Sequence, residues 1–546
     1  MLTESSPRLL ALGLLLTLGC SEDGSSANHP GTGGTAGMTA TGGSSGSGGT
    51  SATGGSSSKG GAIETGGTSA TGGSSATGGS SATGGGSGTA GRSGSGGSAG
   101  ANSDAGNDGV PRVDGSNADS NTGSGGTGSG GTTTSSSCGP LKPAQAPSSS
   151  SGTGGAGGGA GGTVTPLRAI DGFVTRTGTT LSLCGQPFQV LGTNLYYLQS
   201  YSVYEAGNLR TVADGLDDAV RMSLPVVRTW AFNDSKDTND SATIRSAPGT
   251  YLEKGLVGLD TVVAEAKKRG IRLIMTLSNY WDAYGGFPRY ATWAGASGAD
   301  DFYTNTTMQG YLMDYATKLS QRVNTLTGIA YKDEPTILAW EIANEMRCKA
   351  CTDASAPVGV IDSLSKFLKT VFPNHLIADG GEGFDDTPSN WGPLSNTYPV
   401  SGYEHVSYSK IAQLSALDML SYHYYPDPNY WNLNITDSAT VASDAKTWID
   451  GHAALAKAGN KVAYWGEFGI DGTLSTTDRD VARAPAYDSW LSSFFATTNN
   501  NPVVTFWQLV PQSRGADDGF ACILGRDPNT VAVFEKYAQP RAPRGN

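Results

Sequence analysis

From Leu167 onward, apolar positions alternate between two spacings. Short continuous apolar runs of the kind a fully buried strand requires occur at Gln189–Asn194, Pro225–Trp230, Ile271–Leu277, Pro335–Ala339, Leu376–Gly380, Leu417–His423, Val462–Gly469 and Val503–Gln508. Between them lie stretches with helical spacing. The first is Asn208–Ser223, with Leu209, Val212, Leu216 and Val220 on one face. Leu256–Arg269, Met308–Leu326, Val358–Val371, Ala439–Ala458 and Asp488–Thr497 follow the same pattern. Buried strands alternating with amphipathic helices predict βα units around a parallel sheet. With eight such strands over residues 166–546, the expected fold is α/β, a (β/α)₈ barrel with long rim loops. Ahead of strand one, Gly172–Arg176 and Leu181–Phe188 predict a β-hairpin that lids the bottom of the barrel.

Before residue 166 the pattern disappears. Residues 1–20 read as an export signal: Arg8 supplies a positive charge, Leu9 to Leu18 an apolar stretch, and Cys20 closes it. That ending resembles a bacterial lipoprotein signal, which makes Cys20 a candidate lipid anchor. Residues 21–165 are mostly Gly, Ser, Thr and Ala, with units such as Ser74-Ser75-Ala76-Thr77-Gly78-Gly79 recurring. Large side chains are scarce, so nothing offsets the entropy of ordering the backbone, and a long disordered linker is expected. A Gly-rich coil of ~140 residues spans roughly 65 Å. The organisation expected is therefore a signal (1–20), a linker (21–165) and a catalytic domain (166–546), secreted or tethered at the outer surface.

Charge and cysteine content narrow the partners. A net charge of −12 disfavours phosphate backbones, so no nucleic acid partner is expected; a neutral polysaccharide meets no such repulsion. No apolar run has the ~18–20 residues of a membrane-spanning helix. Six cysteines suit one or two bridges in an exported protein. Cys348-Lys349-Ala350-Cys351 lacks the flanks of a redox motif and the second ligand pair of a zinc site, so a small loop bridge is the simpler reading. A monomer is expected.

The chemistry concentrates at strand ends. The fourth strand is expected to end in Asn344-Glu345, and Glu467 lies at the end of the seventh. In a parallel barrel the C-terminal strand ends face substrate, so these place two carboxyl groups on one rim, as glycoside hydrolysis requires. Glu345 is expected to be the general acid/base, its pKa raised by the neighbouring carboxylate, and Glu467 the nucleophile. Arg228 and Tyr425 are expected to keep Glu467 ionised, and the Asn344 amide to bind a sugar 2-hydroxyl. His423 shares a face with Tyr425 by strand alternation and is drawn toward the site. Of the tryptophans, Trp340 and Trp465 are assigned to the core, Trp281 and Trp507 to the cleft, where flat rings stack on sugars.

These residues carry a resemblance to glycoside hydrolase family five, within its endo-β-1,4-mannanase branch. It rests on Asn344-Glu345, Trp465-Gly466-Glu467-Phe468-Gly469, Arg228-Thr229-Trp230-Ala231-Phe232, His423-Tyr424-Tyr425-Pro426 and Trp507. It covers about residue 170 to the C-terminus. The branch rests on Asn279-Tyr280-Trp281-Asp282-Ala283-Tyr284-Gly285-Gly286, on Arg347, and on Cys348 with Cys351. Met346 departs from the family's usual Pro at that position. The resemblance implies a retaining endo-mannanase acting on mannan, glucomannan or galactomannan, with Arg347 contacting the aglycone, Cys348 bonded to Cys351, and no metal or organic cofactor. Two other readings remain at this point. One is another β-glycanase of the family, an endoglucanase or exo-β-mannosidase; the other is a non-catalytic carbohydrate-binding barrel.

Overall fold

The computed structural model describes residues 164–234, 240–426, 438–472, 478–496, 501–515 and 518–538. The export signal, Cys20, Cys138 and the linker to residue 163 lie outside the described residues.

Eight parallel strands close into a barrel. In chain order they are β4 (Val190–Asn194), β5 (Val226–Trp230), β8 (Arg272–Thr276), β9 (Ile337–Glu341), β10 (Leu376–Ala378), β11 (Met419–Tyr424), β12 (Val462–Phe468) and β13 (Val503–Phe506). Each pairs with the next, and β13 returns to β4. Every residue of these strands is buried, which is why they read as unbroken apolar runs and not as alternating ones. Three short strands precede the barrel: β1 (Val174–Thr177), β2 (Thr180–Leu183) and β3 (Gln186–Pro187). Their Val174, Leu181, Leu183 and neighbouring Phe188 cluster with Val190, Val226, Ile274, Leu376, Met419, Val462 and Val503. Apart from Ile274, those barrel residues open their strands, so the small sheet seals the bottom, as the hairpin pattern predicts. A further antiparallel pair, β6 (Arg245–Ala247) and β7 (Thr250–Tyr251), lies in the connection between β5 and β8.

Helix bounds differ from the sequence reading where polar or special residues hide the period. The segment Leu198–Tyr204 is helical although Gln199, Ser200 and Ser202 are among its buried residues, which breaks the apolar rhythm. Gly286–Ala294 begins on glycine, and Pro528–Ala538 opens with Pro at its first position, where a missing N–H costs nothing. The helix expected at Asp488–Thr497 starts earlier, at Arg479, capped by the Asp478 side chain on the Asp480 N–H at 2.9 Å. It runs through Pro485, held by buried Arg483, Ala484 and Tyr487 on the packed face. Between β10 and β11 there is no long helix among the described residues, only the short Tyr408–Ile411 and two 3₁₀ turns, Pro388–Asn390 and Tyr398–Val400; the rest is rim loop.

One irregularity positions the site. Along β11 and β12, Tyr422 pairs with Trp465 but His423 pairs with Glu467, leaving Gly466 as an extra, unpaired residue. Trp465 points outward, against Tyr422, Trp490 and Phe494. Strict alternation would send Glu467 to that same outer face. The bulge at Gly466 turns it inward instead.

Candidate active site

The side chains at the C-terminal strand ends converge on one guanidinium. Arg228, fully buried on β5, donates from Nε to Glu341 at 2.7 Å and from Nη1 to Glu467 at 2.6 Å. Its Nη1 also reaches Asn194 Oδ1 at 3.2 Å, and Nη2 donates to Asn344 Oδ1 at 2.7 Å. Tyr425 donates its hydroxyl to the other oxygen of Glu467. One cation thus orients the two buried carboxylates Glu341 and Glu467, together with the Asn344 amide. Removing it strands both charges in the barrel. Arg228→Ala is therefore expected to lose about 3–5 kcal/mol of stability, read as a fall in the denaturant midpoint with unchanged slope.

Strand β9 ends at Glu341, so Asn344 and Glu345 lie beyond it, on the turn that follows. Asn344 forms a parallel bridge with Asn279, and its Nδ2 donates to Asn279 Oδ1 at 3.2 Å. Glu345 sits at φ +52°, a left-handed conformation costly for a residue with a side chain. Its N–H donates to the Gly380 carbonyl at 2.9 Å, and both carboxyl oxygens are held: Oε1 by His423 Nδ1 at 2.9 Å, Oε2 by the Trp281 indole N–H at 2.7 Å. A Cβ on Gly380 would lie 2.3 Å from the Ala343 carbonyl, so only glycine fits beside this turn.

Glu345, His423 and Glu467 each contribute one atom to a group whose members lie within 4.8 Å of one another. An approach this close of one oxygen from each carboxyl suits the about 5–5.5 Å separation of retaining enzymes better than the about 6.5–9.5 Å of inverting ones. The same three groups have the spacing to hold a metal ion, but Arg228 at 2.6 Å from Glu467 already supplies the positive charge there.

Proton placement in the free site differs from the sequence expectation. Burial pushes Glu345 up, but the His423 hydrogen bond and charge, with Arg347 and the Trp281 donor, outweigh it and hold the carboxyl below its ordinary value. At Glu467 burial dominates; the charges of His423 and Arg228 and the Tyr425 hydrogen bond only partly offset it, and the Glu345 charge adds to it, so the carboxyl is raised. His423 is raised despite its burial, by the charge of Glu467 and by the bond and charge of Glu345. The expectation of a raised Glu345 is thus corrected: an imidazole stands between the two carboxyls and takes the proton that repulsion alone would leave on Glu345. The sign of each shift fixes the pH window. Glu467 becomes protonated as pH falls through a value above 4.5, and His423 loses its proton as pH rises through a value above 6.5. A bell-shaped kcat/KM profile is expected, with both limbs displaced upward from those ordinary values; an acid limb at or below 4.5 would contradict it.

The cleft walls divide around this group. On the Glu345 side, Trp281 lies with the Arg347 guanidinium 5.0 Å from its ring. Arg347 is only 4% exposed; Nε and Nη2 clamp Glu382 at 2.6 Å each and Nη1 donates to Glu404 at 2.9 Å. In the free site it therefore backs Trp281. Cys348 and Cys351 are disulfide-bonded, as expected, and the Cys348 N–H donates to the Glu404 carbonyl at 3.0 Å, which ties the two rim loops together. Cys184 is also disulfide-bonded, whereas Cys522 is a buried free thiol. On the Glu467 side, Trp507 stacks on Tyr196 at 5.1 Å and 10°, and its indole N–H donates to Asp518 at 3.1 Å. Trp340 and Trp465 are fully buried in the barrel wall, as the sequence predicts.

The structure thus brings Arg228, Trp281, Asn344, Glu345, Arg347, His423, Tyr425 and Glu467 into one connected network, with Trp507 on the adjoining wall. Sequence reasoning missed Asn194, Tyr196, Glu341, Glu382 and Glu404. For Asn194 and Glu341 the signal was present: each is a polar residue closing an apolar run. Glu382 and Glu404 lie in a rim loop, where spacing carries no information about direction.

The family model described as glycoside hydrolase family 5 β-mannosidase-like matches residues 171–507. A mannan endo-1,4-β-mannosidase of Solanum lycopersicum is 34% identical over 385 residues, spanning 68% of this chain and 92% of the relative. One from Oryza sativa subsp. japonica is 31% identical, spanning 66% of this chain and 84% of the relative. Among solved structures, the endo-β-1,4-mannanase of Thermotoga petrophila superposes with a TM-score of 0.58 at 28% identity, covering 65% of this chain and 77% of that one. The endo-1,4-β-mannanase of Rhizomucor miehei gives 0.56 at 30% identity, covering 67% and 98%.

Proposed function

Because the chain belongs to the β-mannosidase-like group of glycoside hydrolase family 5 and is a glycoside hydrolase, we propose that it is a retaining endo-β-1,4-mannanase. The observation that carries this reading is the Glu345–His423–Glu467 group, with its atoms within 4.8 Å on one barrel rim. The endo-mannanase names of the relatives support the substrate class.

The geometry supports the following reaction. Glu467, aimed by Arg228 and Tyr425, attacks the anomeric carbon. The glycosidic oxygen leaves with a proton from Glu345, which receives it from His423 Nδ1 across their 2.9 Å hydrogen bond as the sugar enters. Water, deprotonated by Glu345, then releases the glycosyl-enzyme. Trp281 bonds directly to the acid, so the leaving group lies along Trp281 and its Arg347 support. Trp507 and Tyr196 line the side of the sugar that stays on the enzyme. The Asn344 amide, already turned toward the site by Arg228 and Asn279, is placed to meet the 2-hydroxyl.

The test is hydrolysis of mannan, glucomannan and galactomannan against carboxymethylcellulose, with products sized. Mixed oligosaccharides from the mannans are expected. Release of mannose alone would indicate an exo-enzyme, and cleavage only of the cellulose derivative an endoglucanase. The proposal extends to location: an exported monomer, held at the outer surface through Cys20 with residues 21–165 as its tether. The apolar Leu9–Leu18 run ending at Cys20 supports it. A lipid-modified N-terminus in the membrane fraction is the expected finding; unmodified protein wholly in the medium would contradict the anchor.

A further inference from the structure

Under the catalytic histidine lies a second polar group that the mechanism above does not use. Ser421 and His423 alternate along β11, so both point into the barrel, with Tyr425 just past the strand's end. His423 Nδ1 faces Glu345, but its Nε2 is buried and, among the described residues, has no hydrogen-bond partner. Ser421 Oγ is likewise buried and unpartnered. Both atoms border the same small space. A methyl group placed on Gly466 would lie 2.6 Å from Ser421 Oγ and 2.9 Å from His423 Nε2. Gly466 is the bulged residue of β12, so the feature that turns Glu467 inward also leaves this gap. Two facing buried polar atoms without partners are costly unless they satisfy one another.

We propose that Ser421 is a positioning residue for His423: across the space left by Gly466, its hydroxyl takes up Nε2, directly or through one water, and so holds the imidazole with Nδ1 on Glu345. The inference rests on the glycosidase reading of the site and deepens it.

The hydroxyl suits both states of the ring, accepting from Nε2–H in the imidazolium and donating to Nε2 in the neutral form. The bond to the charged form is the stronger, so Ser421 favours the protonated ring. The rest of the ring's environment is fixed independently. The backbone of His423 is pinned by its N–H on the Glu382 carbonyl at 3.0 Å and by Trp448 Nε1 on its own carbonyl at 2.8 Å. The Ser421 N–H donates to Asp379 at 2.7 Å. The charged groups facing His423 are Glu345 beyond β9, Glu467 on β12, Arg228 on β5 and Glu382 beyond β10. None of them reaches Nε2 by a hydrogen bond.

The test compares wild type, Ser421→Ala and Ser421→Thr on mannohexaose across pH, with melting temperatures as the check on folding. For Ser421→Ala, kcat is expected to fall about tenfold, the weight of one hydrogen bond to a charged group, with KM changed by no more than about twofold. Its alkaline limb is expected at lower pH, because the imidazolium has lost an acceptor. Ser421→Thr, which keeps the hydroxyl, is expected to restore both. Wild-type kcat and an unmoved alkaline limb in Ser421→Ala would overturn the proposal. A second readout needs no turnover. In ¹⁵N-histidine-labelled protein, His423 Nε2 is expected to resonate as a hydrogen-bonded nitrogen and to shift in Ser421→Ala. An unbonded Nε2 position in the wild type overturns the proposal even if the variant fails to fold. A wild type that cleaves no β-mannan yet shows the bonded nitrogen would sink the mannanase reading and leave this one standing.

Discussion

Glu467→Ala is expected to lower turnover of mannohexaose by a factor on the order of 10⁴ or more, while oligosaccharide binding stays close to wild type. Among the described residues the carboxylate is held by Arg228, Tyr425 and His423, none of them part of the Trp281 or Trp507 walls. Added azide makes the expectation specific. With the carboxylate gone, azide fits the space on the side it occupied and attacks once, so the product is the α-glycosyl azide, of inverted configuration. Isothermal titration measures the binding and proton NMR the configuration. Turnover near wild type, or a β-azide, would show that another group is the nucleophile.

Glu345→Ala is expected to behave differently, because the two steps use this residue differently. On mannan, where the leaving oxygen needs a proton, loss is expected at about 10²–10⁴-fold, the range of general acid–base catalysis. On an aryl glycoside with a good leaving group, the first step needs no proton and is largely spared. The glycosyl-enzyme then accumulates, visible as a burst of released phenol. Azide now attacks that intermediate and yields the β-glycosyl azide, of retained configuration. Equal losses on both substrates with no burst would argue that Glu345 only binds.

The two variants also bear on what the sequence made legible. Barrel strands were visible because each is buried on both faces and so reads as an unbroken apolar run. Glu467 was found for that reason, as the acid closing such a run. Its direction was not legible: by alternation it shares the outer face with Trp465, and only the bulge at Gly466 turns it inward. A bulge is a matter of register between two strands and leaves no period in either. The fourth strand was expected to end in Asn344-Glu345, yet it stops at Glu341. The true strand-end acid anchors Arg228, and Glu345 sits on a left-handed turn sustained by Gly380. Proton placement also escaped the sequence, because it depends on His423 standing 2.9 Å from one carboxyl and 3.7 Å from the other. Helices with buried polar residues, such as Leu198–Tyr204, were missed for want of an apolar stripe.

The same bulge joins the parts of the account. It brings Glu467 opposite His423 and opens the space behind that histidine for Ser421. It also places two carboxyls at the spacing of a double displacement.

That last point is open to direct measurement. Mannohexaose hydrolysis is followed by proton NMR from the first minutes, before the new reducing ends mutarotate. Two successive displacements at the anomeric carbon predict that the β-anomer appears first and the α-anomer grows in later. If the α-anomer appears first, a single displacement by water has occurred, and the roles given to Glu345 and Glu467 are wrong.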